Sequence, residues 1–211
     1  SPYGKECRDV WTVPQGYKLV GMDASGLELR MLAHYMNDEG YTNEILNGDI
    51  HTANQLAAGL ETRDQAKTFI YAFLYGAGDA KIGSITGGSA KAGKRLKEKF
   101  LGNTPALGRL RERVGVASGR GYVLGLDRRR VAIRSSHAAL NSLLQSAGAI
   151  IMKKALCLLD EYATIWGLDY HIIGNIHDEI QTEVREKDAE RFGRLATSCV
   201  EAAGLFYKLN C

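Results

Sequence analysis

Two strand-like segments, Tyr170–Ile176 and Glu179–Val184, are separated by His177-Asp178 alone. So short a joint makes them run antiparallel, as a hairpin. A third segment, Tyr17–Ala24 (YKLVGMDA), mixes β-branched and aromatic residues and predicts a buried strand. Between these segments the pattern is mostly helical. It covers the run LELRMLAHYM from Leu27, then Asp49–Gly59 and Glu61–Tyr75, and short glycine-broken helices over 79–118. Tyr122–Leu126 and Arg130–Ile133 predict a small hairpin around Gly-Leu-Asp. Ser135–Trp166 reads as one long helix with Ser135 or Ser136 as N-cap, and Asp188–Ala203 as a final helix. The order implies an α+β fold: a small antiparallel sheet backed by helices, with a helical subdomain inserted.

Composition narrows the function classes. Hydrophobic residues make up 45% of the 211 and charged residues 24%, a globular balance that excludes disorder, collagen-like repeats and a disulfide scaffold. The longest strongly apolar run, around Ala147–Met152, is expected to be too short to span a membrane, and no secretory leader is expected. Cys7, Cys157, Cys199 and Cys211 form no CxxC pair and predict reduced thiols. The net charge of +3 hides a segregation. Residues 1–80 carry 6 Lys/Arg against 11 Asp/Glu, residues 81–134 carry 14 against 3, and residues 135–211 carry 7 against 10. A basic middle block between acidic ones suits a polyanion contact beside a carboxylate-bearing site, and equally a solvated basic helix surface.

Three constellations bear chemistry. Asp23-Ala-Ser-Gly-Leu-Glu28-Leu-Arg30 sets a carboxylate at a strand end, where a rigid support can present it to a metal. His177-Asp178-Glu179 sets carboxylates at a hairpin tip, able to face the same cleft. Two such groups from distant parts of the chain are what a pair of hard divalent cations needs. Arg63, Lys67, Tyr71 and Tyr75 recur every four residues, so a helix lines them along one stripe. Cations there can meet a triphosphate and rings can stack on a base or sugar. Taken alone, the stripe fits two core tyrosines and two solvated cations just as well.

Together these segments resemble the catalytic part of family A DNA polymerases, the class of bacterial DNA polymerase I and its phage relatives. DASGLELR resembles the family's motif A, RDQAKTFIYAFLYG motif B and HDE motif C, in the family's order and relative spacing. The spellings DASGLELRMLAH, GDIHT and HAALNSLLQSAGA resemble the short-tailed bacteriophage branch. The resemblance implies a palm at 1–35 and 134–211 and fingers at 36–133. It implies template-directed nucleotidyl transfer from a deoxynucleoside triphosphate to a primer 3′-hydroxyl with two Mg2+ ions, in the cytoplasm of an infected bacterial host. Closure of the motif B helix on the nucleotide would check pairing.

The resemblance also implies roles for individual residues. Asp23 and Asp178 match the metal-binding aspartates, with the Ala24 carbonyl as a further ligand and Glu179 as a supporting carboxylate near the primer terminus. Glu28 matches the residue beneath the sugar that excludes a 2′-hydroxyl. Arg63, Lys67 and His51 match side chains that hold the triphosphate, Lys67 also being the proton donor to pyrophosphate. Tyr71 matches the position beside the nucleotide sugar and Tyr75 the ring at the template base. Asn141 and Gln145 match minor-groove contacts, His177 lies near the primer end, and Arg134 and His137 are further DNA contacts. The family's exonuclease-type region and thumb have no counterpart in this sequence. The chain is therefore expected to be a fragment, with any processivity factor acting through the missing thumb. Rival readings are a non-catalytic nucleic-acid-binding module, which has no need of buried acids, and a metal-dependent nuclease, which has no use for the motif B stripe.

Overall fold

A computed structural model describes residues 6, 7, 10 and 12–211. The chain divides into two compact units, one of residues 1–27 and 149–208, the other of residues 28–148 and 209–211.

The first unit is built on a three-stranded antiparallel sheet. Its strands are β1 (Tyr17–Asp23), β4 (Tyr170–Ile176) and β5 (Glu179–Arg185), with β5 in the centre. Along β5 the residues Ile180, Thr182 and Val184 are buried in strict alternation, the period of a strand with one covered face. Helix α9 (Ala189–Phe206) and the second half of α8 (Ala139–Ile165) supply the cover. Leu159, Ala163, Phe192, Leu195, Ala196 and Cys199 cluster with Val184, and Val20 and Met22 of β1 lean against them. β1 was expected to be a buried strand; it is an edge strand, with Val20 and Met22 half-buried and Leu19 exposed. One face of a three-stranded sheet is all these helices can cover.

At the Tyr17 end the sheet is tied by Asp169, whose Oδ2 accepts from the Tyr17 hydroxyl and from Arg185 Nε, each at 2.7 Å. The Arg185 guanidinium also lies over the Tyr17 ring, 4.3 Å from its centroid.

The second unit is helical. Its elements are α1 (Leu27–Met36, from Glu28 onward), α2 (Glu39–Leu46), α3 (Ile50–Ala58), α4 (Arg63–Leu74), α5 (Asp79–Ser84), α6 (Ala90–Asn103) and α7 (Pro105–Ser118). A hairpin of β2 (Tyr122–Leu124) and β3 (Arg130–Ala132), a 3-10 turn at 136–138 and the start of α8 complete it. Local chemistry sets the boundaries. Asp49 caps α3, and Gly59 ends it at φ 69, where glycine bears no Cβ penalty. Thr62 and Gln65 form a reciprocal capping box on α4. Phe69 and Phe73 of α4 meet Phe100 of α6 edge-on, with centroids 5.1 and 5.5 Å apart, in the centre of this core.

Three further expectations need correcting. Helix α2, started by Asp38 accepting from the Tyr41 N–H, was not foreseen. Glycine breaks 79–118 at Gly87-Gly88, between α5 and α6, but not elsewhere as expected: α6 and α7 each run 14 residues through internal glycines and part at Thr104-Pro105. Proline at the first helical position starts a helix. Gly83 and Gly93 instead serve contact, because a Cβ at Gly93 would collide with the Asp79 carbonyl and one at Gly83 with the Ser89 carbonyl. Finally, α8 is by length and composition apolar enough to cross a membrane, with a mean hydropathy of 1.4 over its best 18 residues. Its apolar residues are spaced helically rather than in one run. Leu140, Leu144, Ala147, Ile151, Ala155, Leu159 and Ala163 make a buried stripe of the kind core helices carry.

Candidate active site

The end of the sheet opposite Tyr17 gathers carboxylates. Asp23, the last residue of β1, pairs in register with Glu179, the first residue of β5. One step further the Ala24 N–H donates to the Asp178 carbonyl at 2.9 Å. Two acidic segments far apart in sequence are thus joined backbone to backbone. Desolvation, followed by the negative charges of Asp178 and Glu179, raises the Asp23 pKa above the usual carboxylate range, although the residue as a whole stays exposed. Glu179 Oε1 accepts a hydrogen bond from Gln181 Nε2. The Ala24 carbonyl accepts from the Leu27 N–H at 3.2 Å and keeps a second lone pair. These oxygen donors, with mutually repelling acids among them, fit a hard divalent cation, which removes the repulsion.

The loop between β4 and β5 is two residues long, since Ile176 pairs with Glu179. His177 occupies its first central position at φ 60, a left-handed conformation that such turns normally give to glycine. The side chain is held there at a backbone cost of about 1 kcal/mol.

In the second unit, Arg63, Lys67 and Tyr71 lie along α4, and Tyr75 is its C-cap. Arg63 and Lys67 are exposed, Tyr71 is half-buried and Tyr75 is 50% exposed, while Phe69, Ile70 and Phe73 fill the core. The two tyrosines are therefore not core residues. The Tyr75 hydroxyl donates to Glu28 Oε1 at 3.0 Å. Gln145 Nε2 donates both to that oxygen, at 3.3 Å, and to the Tyr75 hydroxyl, at 3.2 Å. Desolvation, then the Glu28 carboxylate, pushes the Tyr75 phenol upward, so it remains a donor. Asn141, half-buried, lies one turn before Gln145 on α8.

His51 is in the first turn of α3, its ring centroid 6.3 Å from that of Tyr71. Its Nδ1 is buried without a hydrogen-bond partner among the described residues. Desolvation, then Arg63, lowers its pKa, which favours a neutral imidazole. Arg134 and His137 are exposed on either side of the start of the 3-10 turn. Gly76, at φ 77, brings the chain after α4 close to the His137 carbonyl, which would lie 3.1 Å from any Cβ there.

The chain matches the family model for DNA polymerase family A over residues 1–210. It belongs to that family. As a family A polymerase chain it is 45% identical over 244 residues to the DNA-directed DNA polymerase of Enterobacteria phage T3, covering 100% of this chain and 35% of that protein. It is 47% identical over 220 residues to the DNA-directed DNA polymerase of Escherichia phage T7, covering 89% of this chain and 31% of that protein. The chain thus spans about a third of the length of these curated relatives. Its fold matches the POL domain of Pol1 from M. smegmatis, solved in complex with DNA primer-template and dNTP. The TM-score is 0.87 at 24% identity, covering 96% of this chain and 40% of that one.

Sequence reasoning overlooked the partner of the Arg63 side chain in this family A chain. Asp49 accepts from Arg63 Nε at 2.6 Å and from Nη2 at 3.1 Å. Its signal in the sequence was that of a helix start, which it also is.

Proposed function

We propose that this chain carries the nucleotidyl-transfer centre of a phage replicative DNA polymerase. It would elongate a DNA primer on a template from deoxynucleoside triphosphates. The observation that carries the reading is the backbone junction of Asp23-Ala24 with Asp178-Glu179, which joins two acidic segments at one sheet end. In this reading residues 1–35 and 134–211 are palm and residues 36–133 are fingers. Asp23, Asp178 and the Ala24 carbonyl hold the metal, which we take to be Mg2+. When bound, a pair of such ions activates the primer 3′-hydroxyl and stabilises charge on the departing pyrophosphate. Glu179 supports this cluster, and His177 sits toward the primer end.

The nucleotide falls to the second unit. Arg63, Lys67 and His51 bind the triphosphate, and Lys67 gives a proton to pyrophosphate as it leaves. Glu28, fixed by Tyr75 and Gln145, excludes a 2′-hydroxyl. Tyr71 lies against the sugar and Tyr75 against the template base. Asn141 and Gln145 read the minor groove, and Arg134 and His137 take DNA phosphates. The site of action would be the cytoplasm of the infected host, and a processivity factor would act through residues outside this chain.

The test is incubation of the full-length gene product with primer, template, Mg2+ and nucleotides. Extension supports the reading. Shortening of the primer that Asp178→Asn abolishes would make the site a nuclease, and binding without either would make the chain a binding module.

A further inference from the structure

We propose that Asp49 is a positioning residue for the incoming triphosphate, holding the Arg63 guanidinium side-on so that its opposite edge is offered to phosphate. This rests on the reading of Arg63 as a triphosphate contact.

Arg63 is the first residue of α4, and its side chain is 50% exposed. An arginine so placed would otherwise sample many rotamers, and a phosphate binding it would have to order it. Asp49 does that ordering beforehand. Oδ2 takes Nε at 2.6 Å and Oδ1 takes Nη2 at 3.1 Å, the fork geometry that fixes both direction and plane. Asp49 is itself immobilised. As N-cap of α3, its Oδ1 accepts from the His51 N–H at 3.0 Å and its Oδ2 from the Thr52 hydroxyl at 2.8 Å. One carboxylate therefore ties together the N-termini of α3 and α4, and with them His51 and Arg63. The side-on fork uses Nε and Nη2 and leaves the Nη1 edge turned away from Asp49. A negative charge beside a phosphate site also repels. Both side chains are open to water, at 50% and 41% exposure, so that repulsion is heavily screened and orientation outweighs it.

Serine caps a helix about as well as aspartate but is too short to reach Arg63, so Asp49→Ser removes the fork and keeps the cap. Steady-state extension by the full-length gene product is measured for Asp49→Ser, Arg63→Ala and the double variant. Asp49→Ser should raise the nucleotide KM about three- to tenfold with kcat little changed, and should add nothing in the Arg63→Ala background. If Arg63→Ala raises KM but Asp49→Ser leaves it alone or lowers it, the positioning role is wrong and the Arg63 assignment stands. If Arg63→Ala leaves KM unchanged, both fall. An Asp49→Ser effect that persists undiminished without Arg63 would make Asp49 merely structural and overturn the proposal.

Discussion

Removing a single oxygen tests the arrangement around Glu28. Tyr75→Phe keeps the ring and deletes the hydroxyl that donates to Glu28 and accepts from Gln145. The carboxylate then keeps the longer Gln145 bond, at 3.3 Å, and loses the shorter one, at 3.0 Å. A hydrogen bond to a charged group is worth about 1.5–3 kcal/mol when sheltered from water. Tyr75 is 50% exposed, so solvent replaces part of that, and about 1 kcal/mol is the appropriate figure. If Glu28 excludes a ribose 2′-hydroxyl, that loosening converts to about a fivefold fall in discrimination against ribonucleotides. The assay is the ratio of kcat/KM for a deoxynucleotide and its ribo counterpart on one template. Glu28→Ala should relax the ratio further, and adding Tyr75→Phe to it should change nothing more. Unaltered discrimination in Tyr75→Phe, with relaxation in Glu28→Ala, would refute the idea that the hydroxyl holds the gate.

Asp178→Asn should keep the fold and abolish Mg2+-dependent extension, since charge stabilisation at the transition state is lost; near-normal turnover would remove Asp178 from the metal site. Tyr71→Phe should lower the ratio of dideoxy to deoxy incorporation about tenfold or more, because the phenolic oxygen fills the polar gap left by an absent 3′-hydroxyl. An unchanged ratio would move Tyr71 away from the sugar. Phe100→Ala should cost about 3–5 kcal/mol in denaturant unfolding, given that Phe100 is fully buried between Phe69 and Phe73; a loss below about 1 kcal/mol would contradict that packing. Hydrogen bonds from Tyr17, then from Arg185, hold the Asp169 carboxyl below its usual range. Its stabilising effect is therefore present above the unfolded carboxylate pKa and lost as pH falls through the lower folded value. Asp169→Asn should flatten the acid limb of the stability profile below about pH 4, and an unaltered limb would count against this linkage.

Elements with a local cause were readable from the residues. The tight joint at His177-Asp178 dictates the hairpin, and Asp49 and Gly59 mark the ends of α3 through their own side chain or φ. What depends on neighbours was not. The exposure of β1 follows from its edge place in the sheet, which YKLVGMD does not reveal. Internal glycines looked like breaks because their use, close backbone contact between α5 and α6, exists only after those helices meet. The grouping of Glu28, Tyr75 and Gln145, and the fork between Asp49 and Arg63, bring together side chains many turns apart. Pattern set Arg63 and Tyr75 on one stripe but could not join Arg63 to Asp49 or Tyr75 to Glu28 and Gln145.

The sheet unit is assembled from two separated segments, 1–27 and 149–208, while residues 28–148 make up nearly all of the other unit. This imposes an order in time. A growing polypeptide can close the helical unit's local contacts while β4 and β5 have still to be synthesised, and contacts near in sequence form fastest. Until β5 arrives, β1 has no partner strand and Asp23 no neighbouring carboxylate. The carboxylate cluster therefore cannot form until β5 has been made, after the helices that carry Arg63 and Lys67. An intermediate paused before β5 would be structured around Arg63 and Lys67 yet lack the carboxylates of Asp178 and Glu179.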